Sequence, residues 1–134
     1  SFPTRRSSDL EAMVELPDRP REPAGALADD LALIRPGQRL VYATDLADTA
    51  TNRAALTALA QGAHTLFCEA AFVTEDAEQA ERTGHLTARA CGEIATAADV
   101  GHLVPFHFSR RYEREPERVY REVATACSRA VVPV

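Results

Sequence analysis

Short apolar runs and longer helix-spaced stretches alternate along this chain. Three of the short runs are rich in β-branched, aromatic or other large apolar residues and are bounded by polar or glycine-containing segments, which predicts β-strands. They are 39–44, 65–68 and 102–106. Each is too short for a helix, and none approaches the ~20 apolar residues that a membrane span needs.

Between and after these runs, apolar residues recur at helical spacing, which predicts amphipathic helices. For the first helix we expect Thr51 or Asn52 as the N-cap and Gly62 as the stop signal. The segment 72–81 is predicted to be a loop with a short helix. The three main predicted helices are 53–60, 86–98 and 115–130. Strands alternating with helices in this order are typical of an α/β fold.

The N-terminal part of the chain follows neither pattern. Ser1 to Leu10 matches the translation of a common sequencing-library adapter at all ten positions, so we predict that it is an artefact and not part of the fold. Residues 11–37 are rich in proline and charge, which predicts a surface loop or edge segment. Within it, 26–34 is expected to form a short strand or one helical turn. The fold proper is then expected in 38–134.

Four polar side chains lie at the ends of predicted elements. Asp45, Glu69 and His107 each directly follow a strand, and His85 lies in the loop before the second helix. In α/β sheets, functional groups gather where strand ends and loops converge. Carboxylate and imidazole ligands suit a divalent metal ion in a hydrolytic site. An acid beside a second histidine suits a proton shuttle.

Structural interpretations of the same residues remain open at this point. Asp45 is also consistent with a turn or cap residue, His107 with a buried histidine whose hydrogen bonds are satisfied, and His85 with a cap of the following helix. His64 and His102 are expected to be exposed. The arginines from Arg110 to Arg121 are consistent with a solvated charged face.

Composition narrows the class of protein. The net charge is −5 and 46% of the residues are hydrophobic, which indicates a globular domain and disfavours a generic nucleic-acid coat. The three cysteines are far apart in sequence, so we expect reduced, mostly buried thiols in a cytoplasmic protein.

The order of four blocks resembles the C-terminal half of a metallo-β-lactamase-fold hydrolase of the ribonuclease Z group. LVYATD, 40–45, is similar to the strand that ends in the family's metal-bridging aspartate. CEAAF, 68–72, is similar to its His-Glu-Ala-Thr block, and GHLTA, 84–88, to its His-Ser-Thr loop. HFSRRY, 107–112, is similar to its His-Phe-Ser-Pro-Arg-Tyr block. The fold class implied is α/β, an incomplete half of an αββα sandwich.

The resemblance implies a role for each matching residue. Asp45 would bridge two zinc ions, with manganese as an alternative metal, and His107 would bind one of them. Glu69 and His85 would form the proton-donating pair, and Arg111 would contact a phosphate. The implied substrate is RNA, namely precursor tRNA, or another phosphodiester. The implied parent is a cytoplasmic homodimer without a membrane span.

The sequence also departs from the family pattern. Cys68 replaces a histidine, Leu86 a serine and Arg110 a proline, and Asp48-Thr49 competes with Asp45 as the match to the family's Gly-Asp-Thr. The family's His-x-His-x-Asp-His ligand block is absent from these residues. We therefore expect an inactive fragment of an active hydrolase. The alternatives are a non-catalytic α/β binding or regulatory domain and a hydrolase of small non-RNA substrates.

Overall fold

The computed structural model describes residues 7–33 and 36–134, and it divides at Gly37 into two compact units. In the first unit, helix α1 (Ser7–Leu10) precedes an antiparallel pair of two-residue strands, β1 (Met13–Val14) and β2 (Glu22–Pro23). Helix α2 (Ala24–Leu31) follows directly. The prediction of a strand or single turn at 26–34 was therefore wrong in length, because eight residues are helical; Ile34 lies outside the described residues. Residues 1–6, the first six of the predicted artefact, also lie outside the described residues.

The second unit contains a parallel sheet. Its strands are β3 (Leu40–Ala43), β4 (Thr65–Glu69), β5 (His102–Phe106) and β6 (Ala130–Val131), hydrogen-bonded in that order. Leu40, Thr65, His102 and Ala130 lie in register, so all four strands begin at one edge. The three predicted strands are confirmed. Strand β6 was missed: Ala130 was assigned to the end of the last helix, and Val131 to no element.

Four helices connect these strands. Helix α3 (Ala50–Ala60) joins β3 to β4, and α6 (Pro116–Ala126) joins β5 to β6. Between β4 and β5 lie a 3₁₀ turn (Thr74–Asp76), helix α4 (Ala77–Thr83) and helix α5 (Ala88–Ala97). A second 3₁₀ turn (Arg110–Tyr112) precedes α6.

The predicted cap of α3 was wrong. The side chain of Thr49, not of Thr51 or Asn52, accepts a hydrogen bond from the Asn52 N–H at 3.1 Å, and the helix begins at Ala50. A threonine at the N-cap satisfies one of the donors that the first turn leaves unpaired. The helix therefore begins three residues before the predicted start at Arg53, directly after the Thr49 cap.

The core lies where helices α3 and α5 pack on the sheet and α6 packs on α5. Small residues on α5 allow this close packing: a Cβ added at Gly92 would lie only 2.8 Å from the Val123 carbonyl oxygen. Alternating sheet residues are exposed, with Leu40 at 59% and Tyr42 at 60% of their surface, whereas Val41 between them is buried. One face of the sheet therefore carries the core. No helix among residues 7–33 and 36–134 is long and apolar enough to cross a membrane.

Candidate functional site

The parallel strands bring their carboxyl ends to one edge, as the sequence predicted. Glu69 is the last residue of β4, and Asp45 and His107 follow β3 and β5. Both Asp45, with a φ of 54°, and His107, with a φ of 60°, adopt the left-handed backbone conformation. Aspartate and histidine tolerate this conformation better than most residues, and such strain clusters at functional sites. The chain therefore turns sharply at both residues as it leaves the sheet.

Glu69 is hydrogen-bonded to several groups at this edge of the sheet. Its carboxyl group is fully buried, and burial of such a group requires hydrogen-bond donors. Oε1 accepts from the backbone N–H of Leu46 at 2.8 Å and of Leu86 at 3.1 Å. Oε2 lies 2.8 Å from Nδ1 of His85 and 3.2 Å from Nδ1 of His107. One carboxylate thus holds two imidazoles and two loops.

These contacts define the tautomers. When Glu69 is ionised, its carboxylate only accepts hydrogen bonds, so Nδ1 of each histidine carries the hydrogen that it shares with Glu69. The Nε2 atoms of His85 and His107 are then left for other chemistry. The two rings meet edge to face, with centroids 5.2 Å apart.

His85 is placed by the end of helix α4. Gly84 takes the left-handed conformation with a φ of 74°, and its N–H and that of His85 bond to the last carbonyls of the helix. Glycine accepts this geometry without strain. The alternative interpretation of His85 as a helix cap is wrong, since Thr87 caps α5 through the N–H of Ala90.

The structure brings Asp45, His85 and His107 together. One ligand atom from each of the three side chains lies within 4.8 Å of the others. Thr44, which the sequence analysis missed, joins two of them: its hydroxyl is 3.1 Å from Nδ1 of His107 and donates to the Asp45 carboxylate at 3.3 Å. The only feature of the sequence that could have indicated a role for Thr44 is its position directly before Asp45.

Arg111 lies next to this cluster rather than within it. Its guanidinium binds the Asp76 carboxylate at 2.5 Å and lies 5.6 Å from the centre of the Phe72 ring. The buried hydroxyl of Tyr112 also donates to Asp76 and accepts from the Val73 N–H at 3.2 Å. These contacts dock the turn after His107 onto the segment after Glu69.

Other candidate residues lie outside the site. His64 and His102 are exposed, as predicted, at the opposite ends of the strands. Asp48 forms an ion pair with Arg53 at 2.5 Å, and Thr49 is a helix cap. This favours Asp45 over the competing Asp48-Thr49 match.

Comparison with known proteins agrees with this architecture. A sequence profile of the beta-lactamase superfamily domain matches residues 5–108. The chain belongs to the beta-lactamase superfamily. A solved member with the metallo-beta-lactamase fold, YhfI from Bacillus subtilis, is similar in fold, with a TM-score of 0.62 and 20% identity over 73% of this chain and 37% of that one.

Curated relatives of this superfamily chain include ribonucleases Z. That of Thermobifida fusca is 42% identical over 100 residues, which is 73% of this chain and 30% of the relative. That of Natronomonas pharaonis is 37% identical over 92 residues, which is 69% of this chain and 29% of the relative. The chain thus spans about 30% of the length of these relatives.

Proposed function

We propose that this chain contributes part of the catalytic site of a metal-dependent phosphodiesterase of the ribonuclease Z type. The observation that carries the proposal is the buried Glu69 carboxylate, which orients both His85 and His107 at the sheet edge where Asp45 lies. The similarity to ribonucleases Z over 100 residues supports the same conclusion. Both imidazoles remain accessible from solvent, with 21% of the His85 side chain and 42% of the His107 side chain exposed.

The donor atoms fit a divalent metal ion. Asp45 offers carboxylate oxygens, and His107 offers Nε2 because Glu69 and Thr44 engage its Nδ1. Oxygen and imidazole donors suit zinc, and manganese is an alternative. Bound there, the ion would polarise a phosphoryl oxygen and lower the pKa of water. Two ions in the longer protein would need ligands in addition to these two residues.

His85 is proposed to be the general acid. Glu69 accepts from Nδ1 at 2.8 Å and holds the ring, while the His85 side chain remains 21% exposed to a substrate. Nε2 would donate its proton to the ribose oxygen as the phosphorus–oxygen bond breaks. Glu69 also fixes the ring plane, so the proton would leave in a defined direction.

The proposed substrate class rests on the similarity to ribonucleases Z. We propose RNA, and within it precursor tRNA, acted on by a cytoplasmic homodimer. A cavity of about 170 Å³ opens at the two imidazoles. It is lined by apolar rings and hydroxyl groups, among them Phe72, Phe108, Thr83 and Ser109.

Hydrolysis of a simple phosphodiester tests the proposal. The chain, extended upstream by its own gene, is assayed with bis(p-nitrophenyl) phosphate and zinc or manganese. We expect Asp45→Ala and His85→Ala to lose about 100-fold or more in rate. His102→Ala, an exposed histidine at the far end of the sheet, is the matched control and should retain activity. Unchanged rates in both site variants would reject the assignment.

A further inference from the structure

Three side chains from three separate segments converge at the sheet edge. Asp45 follows β3, His107 follows β5, and His85 comes from the turn between helices α4 and α5. Their ligand atoms lie within 4.8 Å of one another. Two ligands on one zinc ion lie at most about 4.2 Å apart, twice the metal–ligand distance of about 2.1 Å. Small side-chain rotations would therefore bring all three to a single ion.

Glu69 and Thr44 already contact the side chains that would bind the ion. Glu69 engages Nδ1 of both histidines, and Thr44 contacts both His107 and Asp45. Metal-binding histidines almost always donate their other N–H to a carboxylate or carbonyl, which fixes the ring orientation. Here one buried carboxylate does so for two rings. An exposed pair of histidines without such support would have no defined orientation.

We propose that this chain by itself binds one divalent transition-metal ion through Asp45, His85 and His107. Two imidazoles and one carboxylate leave the remaining coordination positions to water, as in open metal sites. The inference goes beyond the proposed function because it gives His85 a second role, as a ligand. It shares Asp45 and His107 with that function.

The two roles of His85 exclude each other. Nε2 cannot hold an ion and carry a transferable proton at the same time. The one-ion form of the chain therefore has no general acid at His85. In the longer protein, further ligands would have to draw the ion away from His85 before the histidine could donate.

Zinc titration of the full 134-residue chain, followed by calorimetry, tests the inference. We expect one ion per chain, and at least about tenfold weaker binding in His85→Ala, Asp45→Asn and His107→Ala. His102→Ala and Cys127→Ser are the matched controls for adventitious imidazole and thiolate binding and should bind as the parent chain does. No binding, two ions per chain, or unchanged affinity in His85→Ala would overturn the inference.

A second readout covers variants that fail to fold. In the unsubstituted chain, zinc should shift the ring nitrogen resonances of His85 and His107 together, at one equivalent, and leave those of His64 and His102 in place. A shift of His107 alone would also overturn the inference. Hydrolysis that depends on Asp45 and His85 in the extended chain, without zinc binding here, would reject this site and leave the proposed function standing.

Discussion

A fully buried carboxyl group is costly unless donors surround it, and Glu69 has four of them. Two come from backbone N–H groups and two from imidazoles, so the same side chain stabilises the fold and orients the site. The sequence indicated that Glu69 and His85 form a pair. It did not indicate that Glu69 also holds His107, because that contact depends on the register of β4 and β5.

Glu69→Gln tests this dual role. The amide would present an N–H group to a cluster of donors, and we expect a loss of about 2–3 kcal/mol in the free energy of unfolding. Urea denaturation measures it. Glu93→Gln is the matched control, because Glu93 is half exposed and pairs only with Arg53 among the described contacts. Equal stability of the two variants would contradict the role of Glu69.

Cys91 gives a second test, through pH. A hydrogen bond with Cys68 and burial raise the pKa of the Cys91 thiol well above its ordinary value. The unfolded thiol ionises near pH ~8.5, before the folded one. The stability that this shift contributes is therefore complete below that pH and is lost as the pH rises toward the folded pKa.

We expect the free energy of unfolding to fall as the pH rises above about 8.5. Cys91→Ala should flatten this slope, whereas Cys127→Ala, at a partly exposed thiol, should change it less. Denaturant titrations at several pH values provide the measurement. An identical slope in the parent chain and Cys91→Ala would be inconsistent with the raised pKa.

At the scale of elements, the sequence predicted strands better than helix ends. Short apolar runs have few competing interpretations, and all three predicted strands form. Strand β5 ends directly before His107, as expected, whereas β4 includes Glu69 and β3 ends two residues before Asp45. Helix ends depend on which of several side-chain oxygens reaches a free N–H, and here the hydroxyl of Thr49 does so rather than the side chain of Thr51 or Asn52. Strand β6 was missed because Ala130 and Val131 form it only by pairing with β5.

The turn after His107 contacts the segment after Glu69 through residues that are far apart in sequence, so this contact was not predictable from a local pattern. Tyr112 is buried, and its hydroxyl joins Asp76 and the Val73 N–H. We expect Tyr112→Phe to cost about 1–3 kcal/mol and to speed amide exchange in 74–85, since the buried Val73 N–H and the partly exposed Asp76 carboxylate each lose a hydrogen bond. Tyr120→Phe is the matched control, because its hydroxyl contacts only the chain end at Val134 in the described structure.

Hydrogen exchange followed by NMR or mass spectrometry distinguishes the two variants. Faster exchange in 74–85 for Tyr112→Phe alone supports the docking role. The same exchange pattern in both variants would show that Tyr112 has no specific part in holding this segment.

At the scale of the whole molecule, the sequence resemblance predicted half of a two-sheet sandwich. The parallel sheet exposes Leu40 and Tyr42 on one face, and the Tyr42 and Phe106 rings pack at a tilt, with their centroids 4.9 Å apart. Contiguous exposed apolar surface of this kind favours association. The α/β class was predictable because strands and helices alternate; the shape of the site was not, because it depends on side chains that meet from distant segments.

We therefore expect the chain to self-associate as its concentration rises. Tyr42→Ser should weaken this association, which sedimentation velocity measures. Leu59→Ser, at an equally exposed apolar residue on α3, is the control and should have a smaller effect. A sharp, monomeric unfolding transition in the parent chain would argue against an association-prone sheet face.

Cleavage of a precursor tRNA tests the central claim most directly. The chain extended upstream is incubated with an end-labelled transcript that carries a 3′ trailer, in the presence of zinc or manganese. We predict a single cut that removes the trailer, reduced about 100-fold or more by His85→Ala and by Asp45→Ala and unchanged by His102→Ala. An intact transcript, or a cut that both site variants make at the parent rate, would contradict the account.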